Sequence, residues 1–326
     1  MSIFPGSGSS EGGRTLAEVG EFTLIDEITA DLPAAPDVLV GPGDDGAVIA
    51  VDSPLVCTVD VLIQDVHFKT EWSPAEAVGR KSVAVNIADI EAMGATATGI
   101  VVGFAAPGDT PEAWALDFAR GLRAECAAAG VQLLGGDVTR SEVIAISVTA
   151  LGTLDGRSAV RRDGARPGDV VALCGRIGWA AAGLAVLGRG FRSPRAAVQA
   201  QQVPEIPYGQ GKIAALAGAT SMIDVSDGLL ADLGHVAERS GVSIDLRTGA
   251  FEVAEPLQAV AAATGSDPYA LILTGGEDHP LAATFAADAV PDGWTVIGSV
   301  TEPTQEPSVT VDGELWEGSR GWDHYG

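Results

Sequence analysis

Short acidic clusters, most of them bounded by glycine, recur along this chain: Gly43-Asp44-Asp45-Gly46, Asp60 followed by Asp65 and His67, Asp89, Gly135-Gly136-Asp137, Asp224-Val225-Ser226-Asp227-Gly228 and Gly275-Gly276-Glu277-Asp278. Two carboxylates about 4 Å apart repel by about 4 kcal/mol at an effective dielectric of about 20, so acids that converge in a fold need cations between them. An oxygen-only ligand set of this kind suits Mg²⁺, which keeps several waters and is usually shared with substrate phosphates. Nucleotide phosphate chemistry is therefore the first expectation. A chain with 44 acidic against 19 basic residues also scatters acids over its surface, and glycine beside aspartate is an ordinary turn. Placement separates the two readings. Asp60, Asp137 and Asp224 are each expected at the end of an apolar run that reads as a buried strand, and strand ends are where α/β folds collect ligands.

The elements that must position these acids follow from periodicity and punctuation. Residues 18–30 read as helical, and the runs 47–51 and 55–63 as strands. Ser73-Pro74-Ala75-Glu76 offers an N-cap, a proline at the first helical position and a capping-box acid, opening a helix that ends near Gly94. Asn86, Asp89 and Met93 share one face of it, and Asp89 is expected to point at ions or a ligand. A strand over 98–104, a helix from Thr110-Pro111 to Gly130, and strands over 131–134 and 143–154 complete a first half of α+β character. The arginine-rich segment 155–169 reads as a domain connection. Strands over 170–174, 221–225, 242–246 and 281–285, separated by helices such as 178–187 and 229–240, predict a separate α/β unit beyond it. Gly175-Arg176-Ile177-Gly178 lacks the Gly-Lys-Ser/Thr ending of a phosphate loop and is expected to be a tight strand-to-helix turn.

Composition narrows the function classes. At 326 residues with 46% hydrophobic content, the chain is long enough for two domains with sizeable cores. A net charge of −25 opposes broad attraction to nucleic acid or to an anionic membrane. Cys57, Cys126 and Cys174 are odd in number, far apart and set in apolar sequence, so buried reduced thiols are expected rather than a disulfide framework or a zinc site. The Gly/Ser-rich start reads as a disordered segment over 1–17. No run approaches the length of a membrane span, and a cytoplasmic protein is expected.

Taken in order, Gly43-Asp44-Asp45-Gly46-Ala47, Asp60-Val61-Leu62 through His67-Phe68, Lys81-Ser82-Val83-Ala84-Val85-Asn86-Ile87-Ala88-Asp89 ending in Ala92-Met93-Gly94-Ala95, Gly135-Gly136-Asp137, Asp224 to Leu229, Thr274 to Asp278 and Gly321-Trp322-Asp323-His324 resemble the thiamine-monophosphate kinase family. Each motif is weak alone, but six or more in sequence order are specific. The resemblance implies the superfamily that also holds aminoimidazole ribonucleotide synthetase and selenophosphate synthetase. It implies an N-terminal ATP- and Mg-binding domain over 18–154 whose sheet forms a homodimer, and a C-terminal α/β domain over 155–326 that completes the ATP and substrate site. The first cysteine is Cys57 and the last residues are His324-Tyr325-Gly326, so the cysteine chemistries of selenophosphate synthesis and hydrogenase maturation are not expected.

Residue by residue, the resemblance implies that Asp45, Thr58, Val59 through its carbonyl, Asp60, Asp89, Asp137, Asp224 and Asp227 ligate several Mg²⁺ ions. Gly136, Asp137, Arg162 and Ser226 are the implied ATP contacts. His67, Glu277 and Trp322 are the implied contacts to thiamine monophosphate, with Asp60, Asp137 and Arg162 nearest the transfer itself. A hydrogen-bonded structural histidine and a tail-pinning aromatic are the alternatives at His67 and Trp322. A phosphate-monoester acceptor is mostly dianionic at neutral pH, so no general base is needed to make the nucleophile. Positioning and charge neutralisation then carry the catalysis of a direct in-line transfer from ATP. ATP-dependent cyclisation by a related synthetase and a non-catalytic Mg-nucleotide sensor are the other readings.

Overall fold

The computed structural model describes residues 14–19, 21–30, 32, 36, 38–40, 48–303 and 305–322. In its first half lie helices α1 (Leu16–Val19) and α2 (Glu21–Thr29), strands β1 (Val38–Val40), β2 (Val48–Ile49) and β3 (Leu55–Ile63), helix α3 (Ala75–Ala92), β4 (Thr96–Ala106), α4 (Glu112–Ala129), β5 (Gln132–Arg140) and β6 (Ala145–Thr153). Then follow β7 (Val170–Cys174), α5 (Trp179–Leu187), α6 (Arg195–Gln202), α7 (Gln210–Leu216), β8 (Ser221–Asp224), α8 (Leu229–Ser240) and β9 (Ser243–Leu246). Helices α9 (Glu255–Thr264) and α10 (Pro268–Thr274) and strands β10 (Leu281–Phe285), β11 (Thr295–Thr301), β12 (Val309–Val311) and β13 (Glu314–Leu315) close the chain.

Among the described residues, β3, β6, β4 and β5 form a four-stranded sheet in that order, with β4 and β5 parallel and the other pairs antiparallel. The second sheet runs β13-β12-β9-β11-β7-β10-β8 and is antiparallel apart from the β12–β9 pair. The mixed α/β architecture agrees with the expected fold class. The second unit, however, gathers its loops around an antiparallel sheet, not along the carboxyl edge of a parallel one.

One face of the four-stranded sheet carries α3 and α4, and Val83, Ile87, Ile90, Ile100, Ile146 and Phe118 are buried between the layers. The other face alternates outward, as a period of two requires. Leu55, Cys57, Val59 and Val61 are exposed on it, so Cys57 is not the buried thiol expected, whereas Cys126 and Cys174 are buried. Burial pushes those two thiols up to about 12 and about 11 respectively.

Helix α3 is buried on nearly every side because it touches the sheet, α4, α6, α7 and β8. Neither long helix begins as the sequence predicts. Pro74 and Pro111 are themselves the N-caps, still extended at ψ 153° and 134°, and no side chain caps either end. The fixed proline φ leaves one extended residue ahead of the first helical turn, so Ser73 sits too far back to cap α3. The strand expected over 131–134 continues through Gly135-Gly136-Asp137 to Arg140. Glycine permits this, since a Cβ on Gly136 would lie 2.1 Å from the Val102 carbonyl oxygen on β4.

Helices α3 and α4 meet through two glycines. A Cβ on Gly79 would stand 2.1 Å from the Phe118 carbonyl oxygen, and one on Gly121 would stand 2.0 Å from that of Glu76. Backbone cannot yield as a flexible side chain does, so Gly121→Ala must separate the helices. We expect it to lower unfolding free energy by about 1–3 kcal/mol despite alanine's better helix propensity, measured by urea denaturation at unchanged m-value.

Candidate active site

The cleft between the two sheets' loops encloses about 650 Å³ and is lined by Asp60, His67, Lys81, Asp89, Asp224, Ser226, Asp227, Glu277, His279 and Trp322, with Phe68, Trp72, Leu184 and Leu271 as its apolar wall. Its floor is α3, which presents Lys81, Val85 and Asp89 at successive four-residue steps. Eight residues of helix place the Lys81 end about 12 Å from the Asp89 end. A second recess of about 560 Å³, lined by Thr58, Arg161, Arg162, Asp163 and Arg239, shares Asp89 and Asp224 with the first. Those two acids therefore stand where the recesses adjoin.

At the acidic end, the Asp60 backbone N–H donates to Asn86 Oδ1 at 2.9 Å, and Asn86 Nδ2 donates to the Ser82 carbonyl. Thr58 Oγ1 donates to Asp89 Oδ2 at 2.7 Å. From the other domain, Asp224 closes β8 and meets His279 Nδ1 at 2.9 Å through Oδ2. Burial raises the Asp60 carboxyl, and the nearby Asp224 charge adds to it against His279 and His67. Burial, then Asp224 and Asp60, pushes Asp89 up to about 7. Burial opposes a proton on His279, but the hydrogen bond and charge of Asp224 outweigh it, so its affinity for a proton is raised.

The loop after β8 is held by Asp232, which accepts from the Asp227 and Gly228 N–H groups at 3.0 and 3.1 Å. Burial and the Asp224 charge push the Asp232 carboxyl up to about 7 in spite of those bonds. The Glu277 N–H donates to the Ser226 carbonyl and the His279 N–H to that of Val225. Glu277 and His279 both have left-handed backbone, with φ of 68° and 53°. Between them Asp278 turns the opposite way and accepts from the Ala180 N–H at 2.7 Å, at the start of α5. Burial pushes its carboxyl up to about 7 as well.

At the other end, His67 Nδ1 accepts from the Ile63 N–H at 3.0 Å, which leaves the imidazole proton on Nε2. The Trp322 N–H donates to the Asp227 carbonyl at 2.9 Å while the residue stays 65% exposed at the cleft mouth. The backbone pins the tail and the ring remains on the cleft. Glu277 Oε1 lies 3.0 Å from Lys81 Nζ.

The structure thus brings together Asp60, Asp89, Asp224, Asp227, Ser226, His67, Glu277 and Trp322, and places Thr58 and Arg162 around the adjoining recess. It does not bring in Gly136 and Asp137. Asp60 and Asp137 lie within their strands, not at strand ends as expected, and on opposite edges of the sheet. Three strand spacings separate those edges by about 14 Å. Asp60 shares a row with Val148, Val102 and Gly136, whereas Asp137 belongs to the next row with Gly103, Ser147 and Val61, and so faces away from α3. The Val59 side chain is on that outer face too. Asp45 lies outside the described residues. Lys81, His279, Asp232 and Asp278 carry site contacts that the sequence did not assign. No local signal in the sequence could have found Lys81 or His279.

Among the described residues, no three His, Cys, Asp or Glu side chains stand close enough to enclose a metal ion by themselves. The donor set still fits Mg²⁺. One or two carboxylates with waters and phosphate oxygens suffice for it, and the raised proton affinities of Asp60 and Asp89 show negative charge that a divalent cation relieves.

This fold and cleft define an AIR synthase related protein. The family described as AIR synthase related protein, N-terminal domain matches residues 43–154, and the corresponding C-terminal domain matches 166–310. The thiamine-monophosphate kinase of Mycobacterium tuberculosis (strain H37Rv) is 46% identical over 96% of this chain and 93% of its own. A crystal structure of thiamine-monophosphate kinase from Stenotrophomonas maltophilia K279a, 32% identical, superposes with a TM-score of 0.79 over 90% of this chain and 96% of its own. A structure described as AaThiL complexed with AMPPCP and TMP, 33% identical, gives 0.78 over 97% of this chain and all of its own. Within the AIR synthase related proteins, the chain belongs to the thiamine-monophosphate kinase family.

Crowded acids make a pH prediction. An unfolded Asp titrates near about 3.9. Asp89, Asp232 and Asp278 are raised to about 7 in the fold, so the folded state binds these protons more tightly. The stabilisation they confer is complete below the unfolded value and is lost as the pH rises through about 7. His279, also raised, acts in the same direction. Metal-free protein should melt at lower temperature at about pH 8 than at about pH 5.5, and Asp89→Asn should reduce that difference in calorimetry.

Proposed function

We propose that the chain transfers the γ-phosphoryl group of ATP directly and in line to thiamine monophosphate, giving thiamine diphosphate and ADP, with Mg²⁺ as the required metal. The observation that carries this is the two-ended cleft: converging carboxylates at one end of α3 and, at the other, an acceptor pocket with aromatic walls and a carboxylate. The relatives named for this activity and the neighbour complexed with AMPPCP and TMP support the reading.

Thr58, Asp60, Asp89, Asp224 and Asp227 would hold Mg²⁺, with Asp45 and the Val59 carbonyl assigned by resemblance. The ion would neutralise the phosphates as two polyanions approach. Arg162, in the recess beside Asp89 and Asp224, is placed to meet the nucleotide. His67, with its N–H on Nε2, offers a donor to the acceptor phosphate. Trp72 and Trp322 offer faces on which a cationic heteroaromatic ring can stack. The acceptor brings its own ionised oxygen, so no side chain has to remove a proton.

The active unit on this reading is a homodimer working in the cytoplasm. The outer face of the four-stranded sheet exposes Leu55, Val59, Val61 and Val101 beside Asp137. A second copy seated there would cover this face and carry Gly136 and Asp137 into a shared nucleotide site. Among the described residues, no helix is long and apolar enough to cross a membrane.

Product analysis with MgATP and each acceptor in parallel tests the reaction. Thiamine monophosphate should be converted and thiamine should not, because an alcohol without a general base forgoes a typical factor of about 10²–10⁴. Chelation should abolish turnover. Asp60→Asn should lower the rate by roughly 100-fold or more with little loss of stability. Efficient thiamine turnover, or full activity in excess chelator, overturns the reading. For the assembly, Val101→Arg should turn a sedimenting dimer into a monomer and remove most activity, since Val101 is 38% exposed on the outer face of the sheet and does not line the cleft. An active monomer refutes the shared site.

A further inference from the structure

Lys81 is the one charged group on the cleft face of α3 at the acceptor end, and it is 3% exposed. A buried ammonium must have its three N–H groups met, and here three chain segments meet them. Nζ lies 3.0 Å from Glu277 Oε1, 3.2 Å from the His67 carbonyl oxygen and 3.4 Å from the Gln201 carbonyl oxygen. His67 follows β3 in the first domain, Gln201 belongs to α6, and Glu277 sits in the turn that also aims His279 at Asp224. The two residues assigned to the acceptor by the proposed function, His67 and Glu277, are thus fastened to a single nitrogen. Glu277 keeps a side chain 34% exposed on its other side, so it can hold Lys81 and still face the cleft. Its left-handed backbone and its N–H bond to Ser226 fix where the side chain starts, and Lys81 fixes where it ends.

The geometry points to Lys81 as a positioning residue for the acceptor: by holding the Glu277 carboxylate and the His67 carbonyl at a set spacing, a lysine of the first domain determines how the second domain recognises the acceptor. This rests on Glu277 contacting the acceptor. It also explains how a carboxylate can stand close to a substrate that carries a dianionic phosphate. Paired with an ammonium, Glu277 presents oriented oxygen to the cationic ring without a full unneutralised charge facing the phosphate.

The test is steady-state kinetics with ATP and thiamine monophosphate varied separately, for the wild type, Lys81→Met, Glu277→Gln and the double variant. Lys81→Met should raise the acceptor KM by about tenfold or more, the range for a hydrogen bond to a charged group, with ATP KM changed less than about twofold. The double variant should weaken acceptor use by less than the product of the two single effects, because the lysine acts in large part through that carboxylate. Should Lys81→Met fail to fold, Lys81→Arg enters the same cycle. Its different reach should raise the acceptor KM in the wild-type background and raise it by a smaller factor in the Glu277→Gln background. Additive effects, equal rises in both KM values, or unchanged kinetics overturn the inference. A wild type that turns over normally beside such variants overturns it alone, whereas a wild type that makes no thiamine diphosphate overturns the proposed function and this inference with it.

Discussion

Repulsion among Asp60, Asp89 and Asp224 is the constraint around which the two domains are arranged. The first two acids come from β3 and α3 of one domain and already repel each other, and the third, from the end of β8 in the other, adds its charge when the domains dock. Docking must therefore be secured elsewhere. Glu91, one turn along α3 from Ile87 and buried, accepts from the Gly209 and Gly211 N–H groups at 2.7 and 2.8 Å. Gly211 has no side chain to lose there, since a Cβ would sit 1.9 Å from the Glu91 carbonyl oxygen. Lys81 joins the domains near the other end of the helix. The repelling acids thus lie between two buried polar contacts that both depend on α3, and the cost of their crowding is borne by a helix that cannot move away.

A like-charge cluster held this way is poised for a cation. Burial, with the Asp224 charge added, raises Asp89 and Asp232 to about 7, and burial alone raises Asp278 to the same value. His279 supplies the positive partner that the fold can build in, against Asp224. Its hydrogen bond goes to Asp224, and its charge, with that of His67, only partly offsets the rise at Asp60. On the proposed function, such a site would favour a divalent metal together with phosphate oxygens over a monovalent ion, because the deficit is larger than one charge.

Much of this was legible in the sequence, and the failures have identifiable causes. The long helices over Ala75–Ala92 and Glu112–Ala129, the strand Leu55–Ile63 and the acidic loop after Asp224 were read correctly because apolar periodicity and Gly-Asp punctuation act locally. Asp137 was grouped with Asp60, yet strand pairing decides its place. Facing depends on register across three neighbouring strands, and no local pattern encodes that. The capping at Pro74 and Pro111 was missed because a serine or threonine one residue earlier satisfies the same sequence pattern without reaching the helix. Nothing local marks Lys81, between Arg80 and Ser82, or His279, after Glu277-Asp278, as a site residue. Their partners are 196 and 55 residues distant.

The arrangement also bears on how a cleft with so little acid–base machinery can be catalytic. In the described structure, His67 accepts a backbone N–H at Nδ1 and so presents Nε2–H as a donor, while His279 is held by Asp224 at the acidic end of the cleft, away from the acceptor end. Asp60 and Asp89, whose proton affinities are raised, lie at the acidic end, about 12 Å along α3 from the Lys81 end. At the Lys81 end the carboxylate in the cleft is Glu277, and its pairing with the Lys81 ammonium makes it a poor base. A substrate that arrives already ionised needs only its charge offset and its direction fixed. Cations and hydrogen-bond donors supply the first, and the aromatic walls with the Lys81–Glu277 pair supply the second. On the proposed function, acceptors would therefore be selected by ionisation state before shape, and the selection would follow from where α3 places its charged residues.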